Sequence, residues 1–183
     1  MIVGFTVFEK IKKFDFSKYK EIFVIITHLH NDHAGSLSQF ILYNWFVNKK
    51  KTIVISKCEK IGQYLQITGT TEEAYEIVDS YPNIEFIKTE HAKELDAYGF
   101  KMSVDGKNIL YTGDTAILDP FEPYLKECDE FYVDVSKNGG VHLKFEDVNE
   151  RLNELKNNGI KVNLMHIDDK EYISKLNKNE FNM

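Results

Sequence analysis

The stretch Thr27-His28-Leu29-His30-Asn31-Asp32-His33-Ala34-Gly35 places three histidines and one aspartate within six residues. It follows the apolar run 22–26, IFVII, which has the length and the β-branched content of a buried strand. The residues after Asp32 are typical of a turn into a helix. The end of a strand therefore presents four potential ligands at once, and imidazole together with carboxylate suits Zn²⁺ and its first-row neighbours.

Outside this stretch, strand patterns alternate with helix patterns, which predicts an α/β protein. β-branched or alternating runs predict strands at 22–26, 52–56, 83–88, 130–135 and 162–165. Apolar residues at helical spacing predict helices at about 35–48, 57–67, 71–81 and 145–157. Asp105-Gly106, between two alternating runs, predicts a β-hairpin over 100–111.

Further candidate site residues fall at predicted strand ends or in loops, namely His91, Asp114, His142 and His166. Active sites of α/β proteins gather at one edge of the sheet, so these side chains are expected to meet the histidine stretch there. One metal site would then take His28, His30 and His91. A second would take Asp32, His33 and His166, and Asp114 would bridge the two.

The H-x-H-x-D-H order of residues 28–33 resembles the signature of the metallo-β-lactamase-fold hydrolases, and the resemblance extends over roughly Ile22 to Ile167. It implies that His91 is the third motif histidine, Asp114 the bridging aspartate and His166 the final histidine. It also implies an α/β, metallo-β-lactamase-like αββα sandwich, formed by a single domain of residues 1–183, with a dinuclear site at one edge. Asp114 fits the phosphodiesterase and glyoxalase II branches.

Two residues are candidates for catalysis. Asp32 is expected to be a metal ligand that also accepts a proton or orients the nucleophile. His142, followed by Leu143 and the predicted helix 145–157, is similar to a histidine of ribonuclease Z-like phosphodiesterases that contacts phosphate and helps to protonate the leaving group. The alternative for His142 is a structural hydrogen bond in a loop. Asp134 either supports a ligand histidine or satisfies the end of its strand.

The resemblance is incomplete at the amino terminus. Family members usually have several strands, often with an aspartate–glycine pair, before the first metal motif, whereas only 27 residues precede His28. Val3-Gly4 would be the remnant of that region, and the first N-terminal strands are expected to be absent. Because an unpaired apolar sheet edge favours association, a homo-oligomer or a complementing chain is expected.

These features predict a metal-dependent hydrolase, foremost a phosphodiesterase for a small-molecule or nucleotide-like substrate. It would work through a water activated by two divalent ions, Zn²⁺ first, with Mn²⁺ or Fe as alternatives. The alternatives are a thioesterase or lactonase of the glyoxalase II type, and a truncated, non-catalytic metal-binding protein.

The net charge of −6 argues against extended nucleic-acid binding. No apolar run would span a membrane, no signal peptide is visible, and two cysteines give no disulfide framework, which predicts a cytoplasmic protein.

Overall fold

The computed structural model describes residue 4, residues 7–176 and residues 181–183. Val3, in the expected remnant Val3-Gly4 of the N-terminal strands, lies outside these described residues. Backbone contacts divide the chain into two compact units, Met1–Tyr81 and Pro82–Met183, which are described in turn. The organisation as one domain stays a prediction.

The first unit contains a three-stranded parallel sheet in the order β1-β2-β3. Its strands are β1 (Ile22–Ile26), β2 (Thr52–Ser56) and β3 (Tyr75–Val78). Its helices are α1 (Phe8–Ile11), α2 (Asn31–Ala34), α3 (Leu37–Tyr43) and α4 (Ile61–Ile67). The sequence patterns therefore locate β1, β2 and α4 correctly. The predicted helix 35–48 is observed as α3 followed by a π-helical turn, Asn44–Asn48, which ends at Lys49 in a left-handed conformation (φ 56°).

The predicted helix at 71–81 is wrong. A short 3₁₀ turn, Glu72–Ala74, leads instead into β3, which pairs in parallel with β2 from Thr52↔Tyr75 onwards. Tyr75, Ile77 and Val78 have high strand propensity, and pairing with β2 satisfies their backbone groups. The tertiary partner therefore decides the conformation of this segment.

Strand β1 is deeply buried, as a continuous apolar run in a parallel sheet should be. Val24, Ile25 and Ile26 are at most 2% exposed. β1 is an outer strand in the order β1-β2-β3, and Phe23 within it is 38% exposed. Oligomerisation stays a prediction.

The second unit contains a five-stranded sheet in the order β4-β5-β6-β7-β8. Its strands are β4 (Ile84–Lys88), β5 (Tyr98–Val104), β6 (Lys107–Tyr111), β7 (Glu130–Asp134) and β8 (Lys161–Met165). Its helices are α5 (Glu122–Leu125), α6 (Phe145–Asn157) and α7 (Lys170–Leu176), with a 3₁₀ turn at Asp119–Phe121. The predicted hairpin is confirmed: Asp105 (φ 51°) and Gly106 (φ 76°) form the tight turn between β5 and β6.

Strands β6, β7 and β8 are parallel, so their carboxyl ends lie at the same edge of this sheet. Asp114 follows β6, Asp134 ends β7 and His166 follows β8. His166 has a left-handed backbone (φ 55°), which is uncommon outside glycine and turns the chain immediately after the strand. No helix within the described ranges is long and apolar enough to cross a membrane.

Gly4 lies against the backbone of the histidine stretch, and its replacement by alanine is expected to distort that loop. The carbonyl oxygen of Gly4 accepts hydrogen bonds from Ser36 Oγ at 2.7 Å and from the Val7 amide at 3.1 Å. A Cβ at position 4 would stand 1.9 Å from the carbonyl oxygen of Asp32. Because backbone cannot move aside cheaply, Gly4→Ala should lower the free energy of unfolding by about 1–3 kcal/mol, measured by urea denaturation.

Gly62→Ala is the matched control. Among the described residues, a Cβ at position 62 meets only Ile77 Cδ1, at 3.7 Å, and the residue lies within α4. This substitution should leave stability unchanged or raise it by up to about 1 kcal/mol. Equal stabilities of the two variants would show that Gly4 does not need to be glycine.

Candidate metal centre

In the first unit, the loop between β1 and α2 brings the motif side chains together. The amides of His33 and Ala34 donate to the carbonyl oxygen of His30 at 2.9 and 2.8 Å, so the helical turn begins immediately after that residue. His28 Nε2 lies 3.1 Å from His30 Nδ1, and His33 Nε2 lies 3.6 Å from Asp32 Oδ2. Two zinc ligands at tetrahedral geometry stand about 3.3 Å apart, so both separations are compatible with a bound ion.

Thr27 lies beneath two of these histidines. Its Oγ1 is 3.2 Å from Nδ1 of His28 and 3.3 Å from Nδ1 of His33, and the residue is fully buried. One hydroxyl therefore orients both imidazoles through the ring nitrogen that is not presented as a ligand. Outer partners of this kind fix the ring and its tautomer.

Thr27→Val should weaken metal binding by about 10- to 100-fold without unfolding the protein, because it keeps the side-chain volume and removes the oxygen that orients both rings. The affinity can be measured by competition with a chromophoric chelator. Thr52→Val is the control: Thr52 is equally buried, and its Oγ1 makes no hydrogen bond to any described residue. Equal metal affinities of Thr27→Val and Thr52→Val would show that Thr27 does not support metal binding.

In the second unit, Asp114 stands between two histidines. Its carboxylate is almost fully buried, with Oδ2 3.7 Å from His91 Nε2 and 3.6 Å from His166 Nε2. His91 Nδ1 is 2.9 Å from the carbonyl oxygen of Val141, which can only accept, so Nδ1 carries the proton and Nε2 keeps its lone pair. One carboxylate and the Nε2 atoms of two imidazoles thus converge, a donor set that fits a divalent ion.

His142 is held by a second buried carboxylate. Asp134 Oδ2 lies 2.9 Å from His142 Nδ1 and accepts a hydrogen bond from the Thr115 amide at 2.9 Å, while the Asp134 amide donates to Thr112 Oγ1. Burial raises the pKa of Asp134 above its usual value, the hydrogen bond from His142 opposes that rise, and the charge of Asp114 adds to it. Because the carboxylate accepts a hydrogen bond from Nδ1–H, His142 presents Nε2 to its surroundings.

His142 also stacks on a predicted ligand. Its ring is 4.2 Å from the ring of His166 with an interplanar angle of 18°, and 5.1 Å from the ring of His91. Asp134 Oδ1 is 3.8 Å from His166 Nδ1. The sequence left open whether Asp134 supports a ligand histidine or satisfies the end of its strand. In the structure this carboxylate contacts His142 and also faces His166.

Each unit thus assembles its own share of the predicted site residues. The first brings together His28, His30, Asp32 and His33, and the second brings together His91, Asp114, His142 and His166. Sequence reasoning missed Thr27, Thr112 and Thr115. Their position in the sequence could have identified them, because each of these threonines stands within two residues of a predicted ligand at a strand end.

Comparisons with known proteins give the fold. No protein-family model matches the sequence. The metallo-β-lactamase fold protein YhfI from Bacillus subtilis is 18% identical, with 98% of this chain and 80% of that chain covered and a TM-score of 0.76. A diphosphatase from the PhnP family is 17% identical, with 98% and 72% covered and a TM-score of 0.68. The short form of human tRNase Z is 15% identical, with 93% and 82% covered and a TM-score of 0.61.

These three structures match nearly the whole chain, including both sheets, at identities that establish the fold and nothing finer. The α/β class and the fold expected from residues 28–33 are therefore confirmed. The chain has the metallo-β-lactamase fold.

Proposed function

We propose that the protein is a metal-dependent phosphodiesterase. Its ligands would be His28, His30 and His91 for one ion, Asp32, His33 and His166 for another, and Asp114 for both. Two divalent ions, when bound, would lower the pKa of a water and neutralise charge on a phosphate ester. The donor set of imidazole and carboxylate supports zinc as the first choice, with manganese or iron as alternatives.

The contact between Asp134 and His142 is the observation that favours a phosphodiester over a thioester as the substrate. An alkoxide leaving group needs a proton, and His142 can hold one on Nε2 while Asp134 stabilises the charged ring through Nδ1. A thioester releases a thiolate, which leaves without protonation, so a thioesterase would have little use for this pair. The fold similarity to a diphosphatase of the PhnP family and to a tRNase Z supports the same choice.

Asp32 has a separate role in the proposal. Its side chain is about half exposed although it lies beside the buried His33, so it can accept a proton from a water as well as bind an ion. Asp32→Ala should lose both diesterase activity and one metal, and should keep its thermal stability in the metal-free form. Full activity with two bound metals would eliminate this role.

The direct test compares two substrates. Purified, metal-loaded protein should hydrolyse bis-p-nitrophenyl phosphate, and a thioester such as S-lactoylglutathione should react at least about tenfold more slowly in kcat/KM. The reverse order of rates would support the glyoxalase II type of reaction instead. Hydrolysis of neither substrate by a fully loaded protein would favour a non-catalytic metal-binding role.

A further inference from the structure

Positive charge is concentrated in two segments of the first unit, residues 9–21 and residues 44–51. We call them together the lysine–aromatic face. Its lysines are Lys10, Lys12, Lys13, Lys18, Lys20, Lys49, Lys50 and Lys51. Eight lysines stand against three acidic residues, Glu9, Asp15 and Glu21, which leaves a net charge of +5 in a chain whose total is −6. The rest of the chain is therefore strongly acidic, and this face is a local exception.

The two segments adjoin in space. Tyr43, at the end of α3, places its hydroxyl 3.4 Å from the carbonyl oxygen of Lys12, and its ring is 5.6 Å from the ring of Phe8. Phe16 and Phe40 also meet, with ring centroids 5.7 Å apart. Residues 12–16 thus run alongside α3, and the π-helical turn 44–48 continues directly from it.

Large apolar side chains protrude among these lysines. Phe14 is 65% exposed, Tyr19 52%, Phe46 59% and Val47 57%. Single exposed apolar residues are normal on any protein, but here four lie on two adjoining segments, and Phe46 and Val47 come just before three consecutive lysines. A shallow cavity of about 180 Å³ includes one of these side chains and is lined by Phe16, Tyr19, Glu21, Ile22 and Phe23.

We propose that the lysine–aromatic face binds the surface of an anionic lipid bilayer. Lysines within a few ångströms of such a surface are attracted by its negative potential, while phenylalanine, tyrosine and short aliphatic side chains enter the interface between headgroups and acyl chains. The lysine–aromatic face has both the lysines and the exposed apolar side chains that this kind of binding uses. Charge complementarity selects an anionic bilayer over a neutral one.

The competing occupant is single-stranded nucleic acid, which also uses lysine and exposed aromatic rings. Two features favour the bilayer. Val47 is aliphatic and offers no ring on which a base could stack. Neither segment contains arginine, the side chain that best combines phosphate binding with stacking on bases.

Flotation of the purified full-length chain with lipid vesicles tests the proposal. The protein should float with phosphatidylcholine vesicles containing about 30% phosphatidylserine and should stay at the bottom with phosphatidylcholine alone. About 0.5 M NaCl should release it, because salt screens the attraction of the lysines. Failure to float with the anionic vesicles at low salt would overturn the proposal.

Two pairs of variants locate the surface. Phe46→Ser/Val47→Ser and Lys49→Gln/Lys50→Gln/Lys51→Gln should each weaken vesicle binding by at least about tenfold. The matched controls, Ile67→Ser/Val104→Ser and Lys60→Gln/Lys93→Gln/Lys126→Gln, remove exposed apolar and basic side chains elsewhere and should bind as the parent does. Melting temperatures identify any variant that fails to fold. Phe14→Ser, which changes another exposed apolar residue of the face, is then tested in its place.

The outcomes separate the alternatives. Loss of binding in the face variants alone supports the proposal. Equal loss in the control variants would show non-specific attraction and overturn it. Binding of a fluorescent single-stranded oligoribonucleotide through the same lysines, without binding to vesicles, would assign the face to nucleic acid instead. None of these readouts depends on the phosphodiesterase reaction.

Discussion

Asp114→Ala should lower diesterase kcat/KM by about a thousandfold and reduce the metal content from two ions to one or fewer. The carboxylate is the only proposed ligand shared by both ions, and it lies between His91 and His166 at 3.6 to 3.7 Å. Loss of an ion that neutralises phosphate charge removes several kcal/mol of transition-state stabilisation, which corresponds to a rate factor of this order. Elemental analysis and steady-state kinetics on the same sample measure both effects.

Glu150→Ala is the control for this prediction. It removes an exposed carboxylate from α6 of the same unit and should change neither metal content nor rate. If Asp114→Ala retained two ions and parental activity, Asp114 could not be a bridging ligand.

His142→Ala should reduce turnover by about 10²- to 10⁴-fold on a diester with an alkyl leaving group, and much less on bis-p-nitrophenyl phosphate. The nitrophenolate anion leaves without a proton, whereas an alkoxide needs the proton that His142 would supply. Metal content should stay at the parental value, since the side chain is held by Asp134 rather than assigned to an ion. The ratio of the two rate losses is the diagnostic quantity.

Two further variants complete the test of His142. Asp134→Asn keeps the shape of the side chain but no longer stabilises a charged ring, so it should show the same dependence on leaving group with a smaller loss. Val141→Ala changes the neighbouring exposed side chain and leaves the backbone carbonyl that contacts His91, so it should behave as the parent. Equal losses for both leaving groups in His142→Ala would mean that His142 does not donate a proton.

Features encoded by neighbouring residues were predictable from the sequence. The H-x-H-x-D-H stretch follows a strand, the Asp105-Gly106 turn has its required left-handed geometry, and α6 covers residues 145–157 as its apolar spacing indicates. In each case the deciding interaction lies within a few residues along the chain. Local propensity and the final structure therefore agree.

Several features that depend on tertiary contacts were not predictable from the sequence. Strand β3 was expected to be helical, because nothing in residues 71–81 shows that β2 is available for pairing. The two contacts of Thr27 depend on how β1 leads into α2. The pairing of Asp134 with His142 depends on a loop folding back over the end of β7. The contacts of Thr27 and Asp134 orient histidines of the candidate metal centre, and the sequence alone does not show them.

Titration of metal-depleted protein with Zn²⁺ tests the central claim most directly. Diesterase activity should be absent at the start, rise with added metal and saturate at about two ions per chain, with bound zinc measured on the same samples. Saturation near two ions, abolished again by a chelator, is the predicted result. Diesterase activity that persists in the metal-free protein, or a protein that binds no zinc, would contradict the account.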